Sequence, residues 1–97
     1  MHIKLLVLDD AIHDIQEASR YYNRQQQGLG QKFKQAIRHA FTQIKAMPKT
    51  SSFAYDTVRY KVMDKFPFVI LYEEHNNFIA ILRIFNTHQS PEQLHQE

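Results

Sequence analysis

The strongest structural signal in this sequence is a long apolar stripe at helical spacing between residues 33 and 47. Its members recur every three or four positions, as on one face of an α-helix: Phe33, Ala36, Ile37, Ala40, Phe41, Ile44 and Met47. Pro48 ends this helix, because proline lacks an amide donor and restricts the residue before it. Two of these side chains are aromatic, so the stripe must pack against a large apolar surface elsewhere in the protein.

A second helix is predicted just before this one. Its apolar face is formed by Ile12, Ile15, Ala18 or Ser19, and Tyr22. Asp9 and Asp10 stand at its start, where a carboxylate can cap the free amides and suits the positive end of the helix dipole. Residues 25–30 end it, since glycine adopts left-handed dihedrals easily. So short a connection predicts an antiparallel helical hairpin.

The remaining apolar segments predict a sheet that covers the hairpin. The segments expected to form strands are residues 2–8, 58–63, 66–72 and 78–85. Residues 49–57 show no periodic pattern and are expected to form a loop, and the polar residues 73–77 fit a hairpin turn. The predicted order is therefore β-α-α-β-β-β. It describes an α+β fold with the helical hairpin packed on one face of a small, mostly antiparallel sheet.

Composition limits the class of protein. The chain has 97 residues, of which 43% are hydrophobic, and we expect a single domain over residues 1–97. It contains no cysteine, which excludes disulfides, thiolate metal sites and a cysteine nucleophile. The longest apolar run, residues 66–72, is far shorter than the roughly 18 residues of a membrane-spanning helix. Because the apolar start is also short for a signal peptide, we expect a cytoplasmic protein with no membrane partner.

Charge is unevenly distributed along the chain. Residues 18–65 hold ten Lys or Arg against two Asp, a net +8, whereas the flanking segments 1–17 and 66–97 each carry −3. A basic middle suits a polyanion or an acidic partner. The plain alternative is that amphipathic helices carry their cations on the solvent-exposed face, and this pattern alone does not separate the two.

The usual catalytic and metal-binding motifs are missing from the sequence. There is no Gly-rich phosphate loop and no HExxH, and His88 and His95 stand at a poor spacing for a shared metal ion. We therefore expect no metal and no cofactor. The pair His13 and Asp14 is expected to be solvated surface. Glu73 and Glu74 are expected to form the polar end of a hairpin.

Cationic residues in the predicted sheet are the better candidates for a site. Arg59 and Lys61 share one face of their strand, and Arg83 interrupts an otherwise apolar strand. A lone buried charge is costly, so Arg83 must reach solvent, pair or serve a function. In the structural alternative it pairs with Glu73 or Glu74. In the functional alternative these cations form a basic spot on the helix-free face of the sheet that binds phosphate or an acidic partner.

The order and spacing of several motifs resemble the RelE/ParE superfamily, the toxins of bacterial type II toxin–antitoxin pairs. The segment from Ala11 to Tyr22 is similar to the family's first helix, and Gly28-Leu29-Gly30 followed by Phe33 to its hairpin turn. The likeness continues over nearly the whole chain through Ile44 and Pro48, Val58-Arg59, Phe66-Pro67-Phe68 with Tyr72, and Ile84-Phe85 before Pro91. The long helical hairpin favours the ParE branch.

This resemblance implies a small cytoplasmic toxin that a cognate antitoxin neutralises. ParE-type members inhibit DNA gyrase, whereas RelE-type members cut mRNA on the ribosome with clustered arginine, lysine and tyrosine and no metal. The sequence departs from the family near its end, where Asn86 and Gln89 stand in place of a histidine and an arginine, and no tyrosine follows Tyr72. RNA cleavage needs an acid for the leaving oxygen and cations for the charged phosphorane, so these departures favour a binding toxin.

Three hypotheses follow from the sequence. The first is a ParE-like toxin that binds DNA gyrase and performs no chemistry. The second is an mRNA interferase with Arg59 and Arg83 on phosphate and Lys61 or His88 handling the proton. The third is a degenerate, non-toxic binding module. The very apolar strands also predict an exposed patch or edge for a protein partner, either the antitoxin or a second copy of the chain as a homodimer.

Overall fold

The computed structural model describes residues 3–87. Its elements, in chain order, are β1 (Lys4–Val7), α1 (Asp9–Gln25), α2 (Leu29–Ala46), β2 (Phe53–Tyr55), β3 (Val58–Val62), β4 (Phe68–Glu74) and β5 (Phe78–Asn86). The strands form one sheet in the order β1-β5-β4-β3-β2. β1 runs parallel to β5 and the other neighbours are antiparallel. The predicted α+β fold, with a helical hairpin on a mostly antiparallel sheet, is confirmed.

The strand β2 corrects the prediction that residues 49–57 form only a loop. It is three residues long and largely exposed, so it carries no apolar alternation that a sequence pattern could detect. It forms because the chain turns back beside β3, where Phe53 pairs with Arg59 and Tyr55 with Val58 across an irregular register. The turn between the two strands holds Asp56 at φ 45°, a left-handed conformation that aspartate tolerates better than most residues.

The start of α1 differs from the expected acidic cap. Leu8 occupies the N-cap position, and no side chain accepts a hydrogen bond there. Asp9 and Asp10 instead lie inside the first turn. Their carboxylates still lie beside the positive end of the helix dipole, so their contribution there is electrostatic.

Two glycines close the helical hairpin. Gly28 precedes α2 at φ 87°, in the left-handed region that glycine enters without strain. Gly30 packs directly on α1: a Cβ there would lie 2.4 Å from the Ser19 carbonyl oxygen and 2.8 Å from the Asn23 side chain. The Gly30 amide donates a hydrogen bond of 2.9 Å to Asn23 Oδ1. The absence of a side chain at Gly30 therefore sets how closely the two helices approach.

The apolar stripe of α2 forms the centre of the core. Phe33, Ile37, Ala40 and Ile44 are all buried against the sheet and α1. Around Phe33 the aromatic rings form a cluster with centroid distances of 5.0–5.5 Å, in edge-to-face and tilted pairs that include Tyr22, Phe66 and Phe68. Such pairs add to the free energy that burial of apolar surface supplies.

A β-bulge between β4 and β5 decides which side chains of β5 face the core. Leu71 pairs with Arg83 but Tyr72 pairs with Ile81, so Leu82 is the extra residue. Ile81 and Ile84 consequently both belong to the core, although a spacing of three would put them on opposite faces of a regular strand. The bulge moves Arg83 out of the core row.

Tyr72 ties the sheet to the end of α2. Its ring is fully buried, and its hydroxyl donates a hydrogen bond of 2.7 Å to the carbonyl oxygen of Pro48. Burial raises the pKa of Tyr72 above its ordinary value of 10.0. The neutral phenol is therefore the form that the fold stabilises.

We expect Gly30→Ala to lower the free energy of unfolding by about 2–3 kcal/mol, because the added methyl group forces the two helices apart. The matched control is Gly28→Asn, which keeps a residue that tolerates left-handed dihedrals in open space and should cost less than about 1 kcal/mol. Urea unfolding followed by far-ultraviolet circular dichroism measures both. A Gly30→Ala variant as stable as the wild type would contradict the close approach.

We expect Tyr72→Phe to lower the free energy of unfolding near pH 7 by about 1 kcal/mol, because the Pro48 carbonyl loses its donor. The raised pKa of Tyr72 also means that the unfolded chain releases its proton first as pH rises through 10, so wild-type stability falls there. Removing the hydroxyl should make that alkaline loss shallower. Equal slopes for the two proteins between pH 8 and 11 would show that Tyr72 contributes nothing to it.

Candidate functional site

Arg59 is held inside the fold by several contacts. Its Nε donates to Glu74 Oε1 at 3.0 Å, and its Nη1 donates to the Ser51 carbonyl oxygen at 2.6 Å. The guanidinium also lies 4.0 Å from the centre of the Phe53 ring. Only 14% of its side chain is exposed. Arg59 therefore joins the loop after α2, β2 and the end of β4.

The register of β3 places Arg59 and Lys61 on the helix-covered side of the sheet. Arg59 pairs with Tyr72 and Lys61 with Ile70, two members of the core. The hypothesis of a basic spot on the helix-free face is therefore wrong for these two residues. The alternation of β3 suggested the opposite, because apolar residues are expected to face the core. In the structure, Tyr60 and Val62 are exposed and face away from the helices.

Arg83 joins β5 to α1 through Asp14. Its Nε and Nη2 donate to the two carboxylate oxygens of Asp14 at 2.7 and 3.1 Å, a bidentate geometry. The same carboxylate accepts the backbone amide of Ile84 at 2.9 Å, beyond the point where β1 ends. Asp14 therefore accepts an amide hydrogen bond at the unpaired edge of β5 and also neutralises the charge of Arg83.

Two sequence expectations about these acidic residues are wrong. Arg83 pairs with Asp14, not with Glu73 or Glu74, and Asp14 is not solvated surface, since 14% of its side chain is exposed. Glu73 instead contacts Thr57 and His75. The signal for Asp14 was present in the sequence: it lies three residues after Ala11 and four before Ala18, so it shares the face of α1 that these two alanines bury.

The candidate cations do not form one cluster in the described residues. Arg83 shares a row with Leu71 and Tyr60, whereas Arg59 and Lys61 lie in the row that faces the helices. His88 and Gln89 lie outside the described residues, and Asn86 is the last residue of β5. Any role of Arg59, Lys61, Arg83 and His88 in catalysis thus remains a prediction of the sequence alone.

Two concave surfaces are candidate binding sites for a partner protein. The helix-free face carries an apolar pocket of about 300 Å³, lined by Phe53, Ala54, Tyr55, Tyr60, Val69, Leu71 and Phe85. A larger groove of about 940 Å³ runs between α2 and residues 63–67. Exposed apolar residues in such places are typical of protein–protein contacts.

Within residues 3–87, no group of three or more His, Cys, Asp or Glu side chains is placed to hold a metal ion. Over the same residues neither helix is long and apolar enough to cross a membrane.

We expect Asp14→Ala to cost more stability than Arg83→Gln. The first change leaves the guanidinium and the Ile84 amide without their carboxylate, whereas the second leaves a part-buried carboxylate that still accepts the amide. The expected losses are about 2–3 and 1–2 kcal/mol in the free energy of unfolding. The double variant should lose less than the sum, which a double-mutant cycle by urea unfolding measures. Strict additivity would show that the two side chains do not interact.

Comparison with known proteins identifies the family. A family model described as "ParE toxin of type II toxin-antitoxin system, parDE" matches residues 5–91. A solved structure titled "Chromosomal ParDE TA system from P. aeruginosa" shares the fold, with a TM-score of 0.67 and 19% sequence identity over 88% of this chain and 96% of that chain. No curated protein matches. The order of elements, the helical hairpin and the family match over residues 5–91 together show that this chain belongs to the ParE toxin family of type II toxin–antitoxin systems.

Proposed function

We propose that this chain is a toxin that acts by binding and inhibiting DNA gyrase and that a cognate antitoxin neutralises it. The observation that carries the proposal is the ParE family match over residues 5–91, since ParE-type toxins inhibit gyrase. A cytoplasmic location is part of this proposal, because gyrase acts in the cytoplasm. The protein would then act through a binding surface and not through a reaction.

The contacts of the two arginines support binding over RNA cleavage. Arg59 is bound by Glu74 and by the Ser51 carbonyl, and Arg83 is bound by both oxygens of Asp14. An RNA phosphate would have to displace these carboxylates before either guanidinium could stabilise a phosphorane. That exchange would also break contacts on which the fold depends.

The surfaces of the molecule also fit a protein partner. α2 presents Lys32, Arg38, His39 and Lys45 to solvent and contains no acidic residue. The opposite side of the sheet exposes Tyr60 and Val62 beside an apolar pocket. One molecule thus offers two surfaces of different character, a basic helical surface and an apolar sheet surface.

Pulse-labelling after induction of the chain alone in a bacterium tests the proposed target. We expect incorporation of labelled thymidine to fall before that of labelled methionine, and purified chain to inhibit supercoiling of a relaxed plasmid by gyrase. Addition of the antitoxin should restore both. The matched control is Arg83→Gln, which in a binding toxin should lower toxicity only as far as it lowers the amount of folded protein.

The RelE-like alternative predicts the reverse order of events. Protein synthesis would stop first, and loss of a transition-state contact at Arg83 would lower the rate of RNA cleavage by about 10²–10³. That result would overturn the gyrase proposal. Growth unaffected by the chain, with no inhibition of either synthesis, would instead indicate a non-toxic binding module.

A further inference from the structure

The outer face of α2 carries cations and neutral polar groups but no carboxylate. Residues 18–55 contain seven Lys or Arg and no Asp or Glu. The core-facing side of the helix holds Phe33, Ile37 and Ile44, and the opposite side exposes residues that recur every three or four positions. These exposed residues, which we call the α2 outer stripe, are Gln31, Gln35, Arg38, Thr42 and Lys45.

The cations of α2 have no ion-pair partner in the described part of the chain. They are Lys32, Lys34, Arg38 and Lys45. Arg38 and Lys45 belong to the α2 outer stripe, Lys34 lies one turn before Arg38, and Lys32 is exposed on the other border of the stripe. Within residues 3–87 none of the four takes part in an ion pair. Their charges are therefore balanced by solvent ions or by a bound anion.

The arrangement of these charges is unfavourable for the helix itself. Lys34 and Arg38 are four residues apart, and like charges at that spacing destabilise a helix. Lys32 lies in the first turn, where the positive end of the helix dipole favours acidic residues, and that turn contains none. Pairs of glutamate and lysine would solvate this face equally well and would stabilise the helix. An external anion therefore explains the pattern better than solvation does.

The composition of the α2 outer stripe favours a phosphate backbone over an acidic protein. Protein interfaces have an apolar centre and are poor in lysine, whereas the stripe contains no apolar residue. Arginine, lysine, glutamine and threonine are all side chains that contact DNA phosphates. The stripe also has no aromatic ring on which the bases of a single strand could stack. A duplex is therefore the better ligand.

The shape of α2 favours duplex DNA over duplex RNA. From Gln31 to Lys45 the stripe is about 21 Å long at 1.5 Å per residue. One flank of α2 borders the open groove beside residues 63–67, so the helix forms a ridge on that side. The major groove of B-form DNA is about 12 Å wide and admits an α-helix, whereas that of duplex RNA is too narrow for protein side chains to read.

We propose that the α2 outer stripe, with Lys32 and Lys34, binds the phosphate backbone of double-stranded DNA. The cations contact phosphates that border the major groove, and release of counterions from the DNA drives binding. The inference goes beyond the proposed function, because it holds whichever enzyme the toxin inhibits. It leaves the apolar sheet surface at Tyr60 and Val62 free for a protein partner.

Fluorescence anisotropy of a short labelled DNA duplex of mixed sequence, titrated with the purified full chain, tests the inference. We expect a Kd of about 10⁻⁶–10⁻⁴ M at physiological salt, the range of sequence-independent binding. Four phosphate contacts predict that a plot of log Kobs against log salt concentration has a slope of about −3.6.

Removal of single charges locates the contact. Arg38→Gln and Lys45→Gln should each raise the Kd about five- to tenfold at about 0.1 M salt and make the slope shallower by about 1. The matched control is Lys4→Gln, which changes the net charge by the same amount. Lys4 is exposed on the helix-free side of the sheet, since its neighbour Leu5 packs against the core. This control should change the Kd by less than about twofold and leave the slope as it is.

Addition of a charge gives the opposite expectation. Gln35→Lys places a fifth cation within the stripe and should lower the Kd about fivefold and steepen the slope by about 1. Its control, Gln35→Met, has a side chain of similar length without a charge and should change the Kd by less than about twofold. Thermal unfolding monitored by circular dichroism confirms that each variant is folded.

Three results would overturn the site on α2. The first is the absence of saturable binding at low salt. The second is an unchanged slope in folded Arg38→Gln and Lys45→Gln. The third is an equal loss of affinity in Lys4→Gln, which would show that the net charge of the protein, and not the stripe, attracts the DNA.

Two other ligands give distinct results, and each would overturn the assignment to DNA. Duplex RNA of the same sequence that binds as tightly as the DNA would show that the helix does not select the B-form duplex. Poly-L-glutamate that displaces the DNA at an equal concentration of negative charge would make the stripe a site for an acidic protein.

Discussion

Burial of the α2 stripe holds the helical layer and the sheet together. Phe33 is fully buried, and its ring packs against Tyr22 of α1, Phe66 before β4 and Phe68 in β4. These contacts join the hairpin to the sheet across long separations in sequence. In a chain of 97 residues, which buries a smaller fraction of its surface than a larger protein, one such cluster has a large share in deciding how the layers pack.

Covering one face of the sheet leaves the molecule with surfaces of different character. The helices bury one side of β3, β4 and β5, and the other side exposes Tyr60 and Val62 beside the apolar pocket. The outer side of α2 is basic because the apolar stripe of this helix faces inward and its cationic residues stay outside. A single packing arrangement thus produces both an apolar and a cationic surface.

The polar residues that looked most functional in the sequence act largely as structural links. Arg59 connects the loop after α2 to β4 through Glu74, and Arg83 connects β5 to α1 through Asp14. The Arg59 guanidinium donates to the Ser51 carbonyl oxygen of the loop, and Asp14, which Arg83 binds, accepts the Ile84 amide at the edge of the sheet. Cations in strands are therefore weak evidence for catalysis in a small domain, because burial alone requires that they be paired.

The elements with a regular apolar periodicity could be predicted from the sequence. The α2 stripe ended by Pro48, the glycines at the hairpin, and the apolar runs of β4 and β5 were all visible, because local spacing reports which residues face a core. The family resemblance followed from the same motifs and was confirmed by the match over residues 5–91.

Three features depend on long-range packing and could not be predicted from the sequence: β2, the bulge at Leu82, and the partners of Arg59, Arg83 and Asp14. β2 has no pattern of its own and exists through pairing with β3. The bulge breaks the alternation that sequence analysis assumes, and it places both Ile81 and Ile84 in the core. The ion pairs join residues as many as 69 positions apart, and a charge carries no local signal of which distant group will neutralise it.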